Sequence, residues 1–308
     1  MQNIDTILDF LKRFKDDKVC KQYLREKRWS KGVVCPFCKN STSKIYEIRT
    51  RDMFTCSNCS KQFSVTVGTI FEKSQVPLQK WFLAIYLHST FETGISSVNL
   101  SKQIGVTQKT AWFMLHRIRY AINNKSFDEP LVGTFEIDET FIGGKNKNRH
   151  VDKKVKNSQG RSFKDKTAVL GIYNNETQEV KSVVTISTGK DVIRPVLFRN
   201  IKSRSCITTD EWKAYNGLAR IYQHVVVNHK RHQYNNDGLT TNHIENYWTR
   251  VKNNIRGTYH YVSRKHLQNY CNEWDFKHNV RLKSNSEKFE DVLLGTNNKR
   301  LLYSSLIR

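Results

Sequence analysis

The chain has 308 residues, enough for a sizeable core and one or two smaller modules. Lys and Arg number 52 against 28 Asp and Glu, which gives a formal net charge of +24. A positive surplus of this size predicts a polyanionic partner. With 38% hydrophobic and 11% aromatic residues the composition excludes a disordered basic tail, so most of the chain is expected to be globular.

The sequence predicts neither a membrane span nor an export signal. Its longest purely apolar run, residues 81–87, is far shorter than the roughly 18 residues that a membrane helix needs. The N-terminal 14 residues place apolar side chains at helical spacing among Asp and Lys, which predicts a short amphipathic helix without a signal-peptide core. We therefore expect a cytoplasmic protein whose cysteines are reduced.

Four of the seven cysteines form two CxxC pairs, and 17 residues separate the pairs. This doubled spacing is typical of a zinc ribbon with four thiolate ligands: Cys35, Cys38, Cys56 and Cys59. Four thiolates leave no open position on the ion, so the predicted Zn²⁺ is structural. The other cysteines, at 20, 206 and 271, are expected to be small buried apolar residues.

Helical periodicity dominates residues 77–123. A helix is predicted after Pro77, followed by a helix over 96–104, a turn at Gly105, and a longer helix from Thr107 to 122 with Thr107 as its N-cap. A helix, a tight turn with Gly and a longer helix are the outline of a helix-turn-helix.

From about residue 133 the apolar pattern alternates, which predicts strands. A strand around 135–138 is followed by a hairpin of strands over 167–173 and 180–187, a helix over 192–201, a strand over 206–209, a helix through 215–218, and a strand over 224–227. Helices follow at 242–255 and 263–279. This order predicts an α/β layer fold.

Acidic residues stand at the ends of two predicted strands. Asp138 ends the first strand and Asp210 the fourth, and Glu245 lies on the following helix, sharing one face with Asn242 and Lys252. Carboxylates that converge on hard cations are what two-metal phosphoryl transfer requires, and Mg²⁺ is the natural ion. The alternative is that each acid is a solvated charge of no chemical role.

Three motifs of this half of the chain closely resemble the catalytic domain of a bacterial insertion-sequence transposase group, the ISXO2-like transposases, which are related to the eukaryotic Merlin elements. The motifs are FEIDETFIGGK (135–145), TDEWKAY (209–215) and TNHIENYW (241–248). The resemblance extends upstream to GTIF (68–71), TQKTAW (107–112) and the zinc ribbon, and so covers nearly the whole chain.

The resemblance implies an RNase H-like domain whose DDE acids cut DNA at terminal inverted repeats and join the 3′-OH ends to target DNA with Mg²⁺ or Mn²⁺. Asp138 and Asp210 correspond to the first two acids. The third is either Glu245 or Asn242, because members of the group carry Glu or Asn there; we favour Glu245 because carboxylate is the better Mg²⁺ ligand. Lys252 is expected to contact a DNA phosphate.

Neighbouring acids are rivals for the same roles: Glu136 and Glu139 beside Asp138, and Glu211 beside Asp210. Glu136 shares the strand face of Asp138, and the position in the family favours Asp138. His224, His229 and His232 cluster before the Glu245 helix, but we assign them no metal. The nine Lys and Arg of residues 145–166 predict a mobile loop that contacts DNA beside the active site.

The expected architecture is an N-terminal helix and zinc ribbon (1–72), a helix-turn-helix region (73–130), an RNase H-like domain with a mixed sheet and flanking helices (131–285), and a C-terminal tail (286–308). The expected function is DNA transposition by a homodimer or higher oligomer on double-stranded DNA in the nucleoid, or in the nucleus of a eukaryotic host. The alternatives are a DNA-binding regulator that does not cut and a nuclease or resolvase of the same fold.

Overall fold

The computed structural model describes residues 4–39, 44–122, 129–143, 150–156, 162–228 and 239–307. The chain divides into two compact units, of which the first contains Met1–Asn123 with Leu282–Arg308 and the second contains Asn124–Arg281. The first unit therefore contains the predicted ribbon and helix-turn-helix regions together. In the described part of the chain, no helix is long and apolar enough to cross a membrane.

Between residues 77 and 279 most helices and strands lie close to the predicted ones, whereas the helices at 17–28, 285–294 and 303–307 and the strands at 45–48, 53–56 and 62–63 were not predicted. In chain order the α-helices are α1 (Ile7–Arg13), α2 (Asp17–Arg28), α3 (Leu78–Thr90), α4 (Ser97–Ile104), α5 (Gln108–Ala121), α6 (Lys190–Asn200), α7 (Asn242–Asn254), α8 (Leu267–Asn279), α9 (Asn285–Leu294) and α10 (Tyr303–Ile307). The strands are β1 (Ile45–Ile48), β2 (Met53–Cys56), β3 (Gln62–Phe63), β4 (Thr134–Ile142), β5 (Thr167–Asn174), β6 (Val180–Thr185), β7 (Cys206–Thr209) and β8 (Gln223–Val226).

In the first unit, α4, a turn and α5 form the predicted helix-turn-helix. Gly105 ends α4 in the left-handed conformation with φ 61°, which glycine adopts without a steric penalty. The Thr107 hydroxyl accepts a hydrogen bond from the Thr110 N–H and caps α5, as its sequence position predicts. Most of α5 is buried, and its first turn is exposed at Gln108 and Lys109.

An aromatic cluster forms the centre of the first unit, and the C-terminal segment contributes to it. The Phe289 ring of α9 lies 5.8 Å from Phe10, 5.6 Å from Phe14 and 5.6 Å from Phe82 on α3. Glu290 of α9 also accepts a hydrogen bond from the Tyr23 hydroxyl. Residues 286–308, which the sequence sets apart as a tail, thus contain a helix that packs in the core of the first unit.

The second unit is built on a five-stranded mixed sheet with the order β6-β5-β4-β7-β8. Strands β4, β5 and β6 pair antiparallel, whereas β4, β7 and β8 pair parallel. On one face, α6 contributes Ile193 and Leu197 to a core with Phe135 and Ile137 of β4. On the other face, α7 and α8 cover a second core of aromatic and aliphatic side chains. This arrangement confirms the predicted α/β class and agrees with an RNase H-like domain.

Two predictions for the second unit are wrong. The first strand was expected to end at Asp138, but β4 continues to Ile142, so Asp138 lies in its middle. The segment through Tyr215 and Leu218 is not one helix but two short 3-10 turns, Lys213–Tyr215 and Leu218–Arg220. Gly217 separates them with φ 86°, a conformation that interrupts a continuous helix. Both turns still place apolar side chains in the α6-side core, which is why the apolar spacing is close to that of a helix.

We predict that Phe289→Ala destabilises the first unit by about 3–5 kcal/mol, because it leaves a cavity among buried rings. The matched control is Leu294→Ala on the same helix, whose side chain is 46% exposed and whose loss should cost little. Amide hydrogen exchange of α3 measures the first unit alone. Equal protection of α3 in both variants would show that α9 is a dispensable tail.

Candidate active site

Two of the predicted acids lie side by side on neighbouring parallel strands. The register of β4 and β7 pairs Glu136 with Thr208, so two residues further along both strands Asp138 lies beside Asp210. Asp210 immediately follows β7, and its Oδ1 accepts a hydrogen bond of 2.9 Å from the backbone N–H of Trp212. This turn fixes the carboxylate at the end of the strand.

Helix α7 lies against the sheet at the position of Asp138. On β5 the residue paired with Asp138 is Gly171. A Cβ at Gly171 would lie 2.7 Å from Ile244 Cδ1 and closer still to Trp248. Only a residue without a side chain permits this approach, and it brings the first turns of α7 next to Asp138.

The close approach of α7 adds Glu245 and Lys252 to the electrostatic environment of Asp138. Burial, together with the charges of Asp210 and Glu245, raises the pKa of Asp138 to about 7, although a backbone hydrogen bond from Glu139 and the charge of Lys252 oppose the rise. Desolvation lowers the pKa of Lys252, and Asp138 opposes that shift. The structure therefore brings three of the predicted acids and the predicted phosphate-contacting lysine into one cluster.

The two candidates for the third acid differ in their hydrogen bonds. Oε1 of Glu245 accepts a hydrogen bond of 2.9 Å from the hydroxyl of Thr241. Asn242 is exposed at the first position of α7, one turn before Glu245, and its N–H donates to the Thr240 hydroxyl. Glu245 is thus oriented by a neighbour and contributes charge at Asp138, which favours it over Asn242.

The rival acids occupy different environments. Glu136 is fully buried and accepts hydrogen bonds from two backbone N–H groups at the start of α7. Glu139 points to the opposite face of β4, where it lies near the buried Tyr215; burial first and Glu139 second raise the pKa of that phenol. His224 Nε2 is hydrogen-bonded to the Thr209 hydroxyl at 2.9 Å. His229 and His232 lie outside the described residues.

The basic segment 145–166 is described in part. Residues 150–156 include a 3-10 turn at Val151–Lys153, and residues 162–166 lead into β5. The remainder of the segment lies outside the described residues. Its predicted DNA contact therefore stays a prediction.

The donor set of the acid cluster fits a hard divalent cation. Carboxylate oxygens are the ligands that Mg²⁺ and Mn²⁺ prefer, and bound positive charge would offset the burial and the repulsion that raise the pKa of Asp138. Within the described chain, three or more ligand atoms within 4.8 Å of one another occur at the cysteine site and not among these acids.

The four predicted zinc ligands converge on one point of the first unit. Their sulfurs all lie within 4.8 Å of one another; Cys35 and Cys59 are 3.6 Å apart and Cys38 and Cys56 are 3.7 Å apart. A tetrahedral ion with Zn–S bonds of about 2.3 Å requires sulfur separations of about 3.8 Å. The backbone N–H groups of Cys59 and Asn58 lower the pKa of Cys56 to about 6, which favours the thiolate.

The ribbon around the cysteines is a three-stranded antiparallel sheet, in the order β1-β2-β3. Its small core contains Phe54 and Phe63, and the Trp29 ring packs on Phe54 at 5.2 Å. So few buried side chains leave the metal as the main stabiliser of the ribbon. The four cysteines therefore form a structural Zn²⁺ site.

Comparison with known proteins agrees with this arrangement. Residues 130–279 match the ISXO2-like transposase domain, and residues 15–62 match the transposase zinc-ribbon domain. An uncharacterized protein in transposable element ISH50 of Halobacterium salinarum is 26% identical over 295 residues, which cover 92% of this chain and 98% of that protein. A chain of the simian T-cell lymphotropic virus intasome in complex with PP2A regulatory subunit B56 gamma aligns over 61% of this chain and 66% of its own, with 12% identity and a TM-score of 0.28.

The two domain-family matches identify the class of protein: a nucleic-acid-processing enzyme with an N-terminal zinc ribbon. More particularly, residues 130–279 belong to the ISXO2-like transposase domain family, and residues 15–62 belong to the transposase zinc-ribbon family. The resemblance stated from the sequence motifs is confirmed.

Sequence reasoning missed two residues that shape the site. Gly171 sits in an apolar run of β5, and the need for a bare backbone appears only when α7 is placed on it. The role of Thr241 was also missed, although a Thr directly before a predicted helix normally signals an N-cap. Here the Thr241 hydroxyl donates a hydrogen bond to the Glu245 carboxylate and makes none to the helix backbone.

We predict that Asp138→Asn stabilises the metal-free protein above pH 7. The pKa of Asp138 in the folded state, about 7, is higher than its ordinary value of 3.8, so between these pH values the folded protein binds a proton that the unfolded chain releases. The contribution of Asp138 to the free energy of unfolding therefore falls as the pH rises from about 4 to 7. One pKa unit corresponds to about 1.4 kcal/mol, and screening at a half-buried position reduces the full shift, so we expect a gain of about 2 kcal/mol at pH 8. Urea unfolding of the variant and the wild type with a chelator present, at pH 5 and at pH 8, measures this gain. The same difference in unfolding free energy between the two proteins at both pH values would contradict the prediction.

We predict one zinc ion per chain, and its loss in the double variant Cys35→Ser, Cys38→Ser, because two thiolates cannot complete the tetrahedron. Elemental analysis of the purified chains gives the stoichiometry. Cys206→Ser in the second unit is the control and should keep its zinc. Full zinc content in the double variant would refute the site.

Proposed function

We propose that this chain is an active DNA transposase that cleaves element ends and joins their 3′-OH groups to target DNA. The observation that carries the proposal is the convergence of Asp138, Asp210 and Glu245 on the α7 side of the sheet, where burial and mutual repulsion raise the pKa of Asp138. Clustered acids with a perturbed pKa are typical of a site built to bind cations and do chemistry.

Asp138, Asp210 and Glu245 would hold Mg²⁺ or Mn²⁺. Two such ions, when bound, activate the attacking oxygen and stabilise the leaving oxygen of phosphoryl transfer. The Trp212 N–H keeps the Asp210 carboxylate in place, and the Thr241 hydroxyl does the same for Glu245. Lys252, close to Asp138, would hold a phosphate of the DNA backbone near the acids.

DNA binding in this proposal involves both units. The net charge of +24 provides the general attraction to phosphates. In a helix-turn-helix the first residues of the second helix contact base edges, and in α5 these residues, Gln108 and Lys109, are exposed. The terminal inverted repeats would be recognised by the first unit, and the target DNA would approach the acid cluster. Cutting at two ends favours a homodimer or higher oligomer.

We predict that Asp138→Ala, Asp210→Ala and Glu245→Ala each retain binding to element-end DNA but lose cleavage and strand transfer by at least about 10³-fold. The losses should not add in double variants, because the acids serve one displacement step. Asn242→Ala should be milder than Glu245→Ala. Lys252→Ala should reduce joining without abolishing metal uptake, since its proposed partner is a phosphate.

The assay uses end-containing DNA, Mg²⁺ and a target plasmid, with nicked and joined products scored separately. Glu211→Ala, a carboxylate beside Asp210, is the matched control and should stay active. Joining at the wild-type rate by Asp210→Ala would refute the mechanism. Activity in Glu245→Ala with loss in Asn242→Ala would move the third position to Asn242. End binding by the wild type without cutting would favour a regulator, and cutting without joining would favour a nuclease or resolvase.

A further inference from the structure

The first turn of α7 lacks a cap from its own sequence. Its N-cap residue, Thr241, makes no side-chain hydrogen bond to the helix backbone. The Thr241 hydroxyl donates instead to Oε1 of Glu245 at 2.9 Å. The N–H groups at the second and third helical positions, those of His243 and Ile244, therefore need another acceptor, because the first N–H groups of a helix have no partner within it.

Glu136 of β4 supplies that acceptor from more than a hundred residues away in sequence. Its Oε2 accepts hydrogen bonds from the backbone N–H of His243 at 2.9 Å and of Ile244 at 3.1 Å. Its side chain is 1% exposed. A carboxylate at a helix N-terminus also interacts favourably with the helix dipole, and more strongly where burial limits screening.

The second oxygen of Glu136 is occupied as well. Oε1 lies 2.7 Å from Nδ1 of His243, whose ring stacks on Tyr173 with the planes 6° apart and the centroids 5.3 Å apart. Tyr173 is the residue that pairs with Glu136 across β4 and β5. Both carboxylate oxygens thus hold α7 to the sheet, and neither is directed to a metal ion.

The location of this contact connects it to the acid cluster. Glu136 lies two residues before Asp138 on the same face of β4, and its hydrogen-bond partners directly precede Glu245 in α7. One carboxylate therefore fixes the distance between the strand that carries Asp138 and the helical turn that carries Glu245. By replacing the missing cap it also leaves the Thr241 hydroxyl for Glu245.

We propose that Glu136 is a positioning residue: it caps α7 from the sheet and so sets Glu245 opposite Asp138 for cation binding. This inference rests on the proposed function for its consequence in catalysis. The capping role itself depends only on the contacts of Glu136. Its removal should loosen the start of α7 before it affects the rest of the domain.

The test compares full-length Glu136→Gln with the wild type in three measurements. The amide is isosteric but uncharged, so even with its oxygen on the two backbone N–H groups it replaces charge-assisted capping bonds, and the favourable charge at the helix N-terminus, by weaker neutral hydrogen bonds. We expect hydrogen exchange of the His243 and Ile244 amides to be faster by about tenfold or more. We expect Mn²⁺ binding, measured by calorimetry without DNA, to weaken by about 10–100-fold, as for other residues that orient ligands. Joining should fall at low Mg²⁺ and partly recover at high Mg²⁺, while end binding is unchanged.

Glu273→Gln is the matched control. Glu273 is a fully buried carboxylate of α8 in the same unit, and it accepts a hydrogen bond from the Tyr259 hydroxyl at 2.7 Å, away from the start of α7. The Glu273→Gln substitution should lower thermal stability without changing amide exchange at residues 243 and 244 or the affinity for Mn²⁺. His243→Ala, which removes only the ring contact and keeps both backbone hydrogen bonds, should have an intermediate effect on exchange.

The outcomes separate the two proposals. If Glu136→Gln matches Glu273→Gln in exchange and in Mn²⁺ affinity, Glu136 is only a core residue and the inference is overturned. If the wild type binds Mn²⁺ but neither cuts nor joins DNA, the proposed function fails, and the exchange and affinity data still decide the role of Glu136. Faster exchange with unchanged Mn²⁺ affinity would also overturn the inference, because the cap would then not set the cation site.

Discussion

The repulsion between partly buried carboxylates on the α7 side of one sheet is the constraint on which the second unit depends. Asp138 and Asp210 are neighbours on parallel strands, and Glu245 adds a third charge from the helix above them. Burial first and the neighbouring charges second disfavour the ionised form of Asp138 and raise its pKa, so the ionised cluster opposes folding. The rest of the unit must hold these groups together against their own charge.

The sheet resists this repulsion through its apolar face. Phe135 and Ile137 alternate with the acids along β4 and are fully buried against α6. A register slip of one residue would exchange the two faces, turning the acids into the apolar core beneath α6 and Phe135 and Ile137 toward α7. The same alternation that places Asp138 on the α7 side therefore fixes its alignment with Asp210, and apolar burial on one face stabilises charge clustering on the other.

Helix α7 resists the repulsion between the carboxylates through polar contacts and close packing. Gly171 allows Ile244 and Trp248 to lie directly on β5, and Glu136 holds the first turn. Further along, the Tyr247 hydroxyl donates to the buried Asp275 at 2.6 Å, and Asp275 also accepts from Ser182 of β6. Burial raises the pKa of Asp275, and the hydrogen bonds from Ser182 and Tyr247 limit the rise to about 6, so these donors favour the ionised carboxylate. The helix that carries Glu245 is thus attached to the sheet at its start and at its middle.

The sequence predicted what local patterns determine. The zinc ligands follow from spacing, and the strands and most helices follow from apolar periodicity, because both signals lie within a few residues. Packing over long sequence distances was not predictable. Helix α9 was interpreted as a tail because nothing near Phe289 indicates the rings of α1 and α3 that it meets. The two 3-10 turns at 213–220 present apolar side chains at nearly helical intervals, so periodicity alone could not distinguish them from a helix.

The rivalry between Glu136 and Asp138 shows where such reasoning stops. The two acids lie on the same face of one strand, two residues apart, and have nearly the same chemistry. Glu136 meets backbone N–H groups and a histidine ring, which satisfy both of its oxygens, whereas Asp138 meets other carboxylates and a lysine. A carboxylate surrounded by donors is a structural group, and one surrounded by like charge is poised to bind a cation. The helix that makes this difference begins more than a hundred residues later, so the contacts that distinguish the two acids appear only in the folded chain.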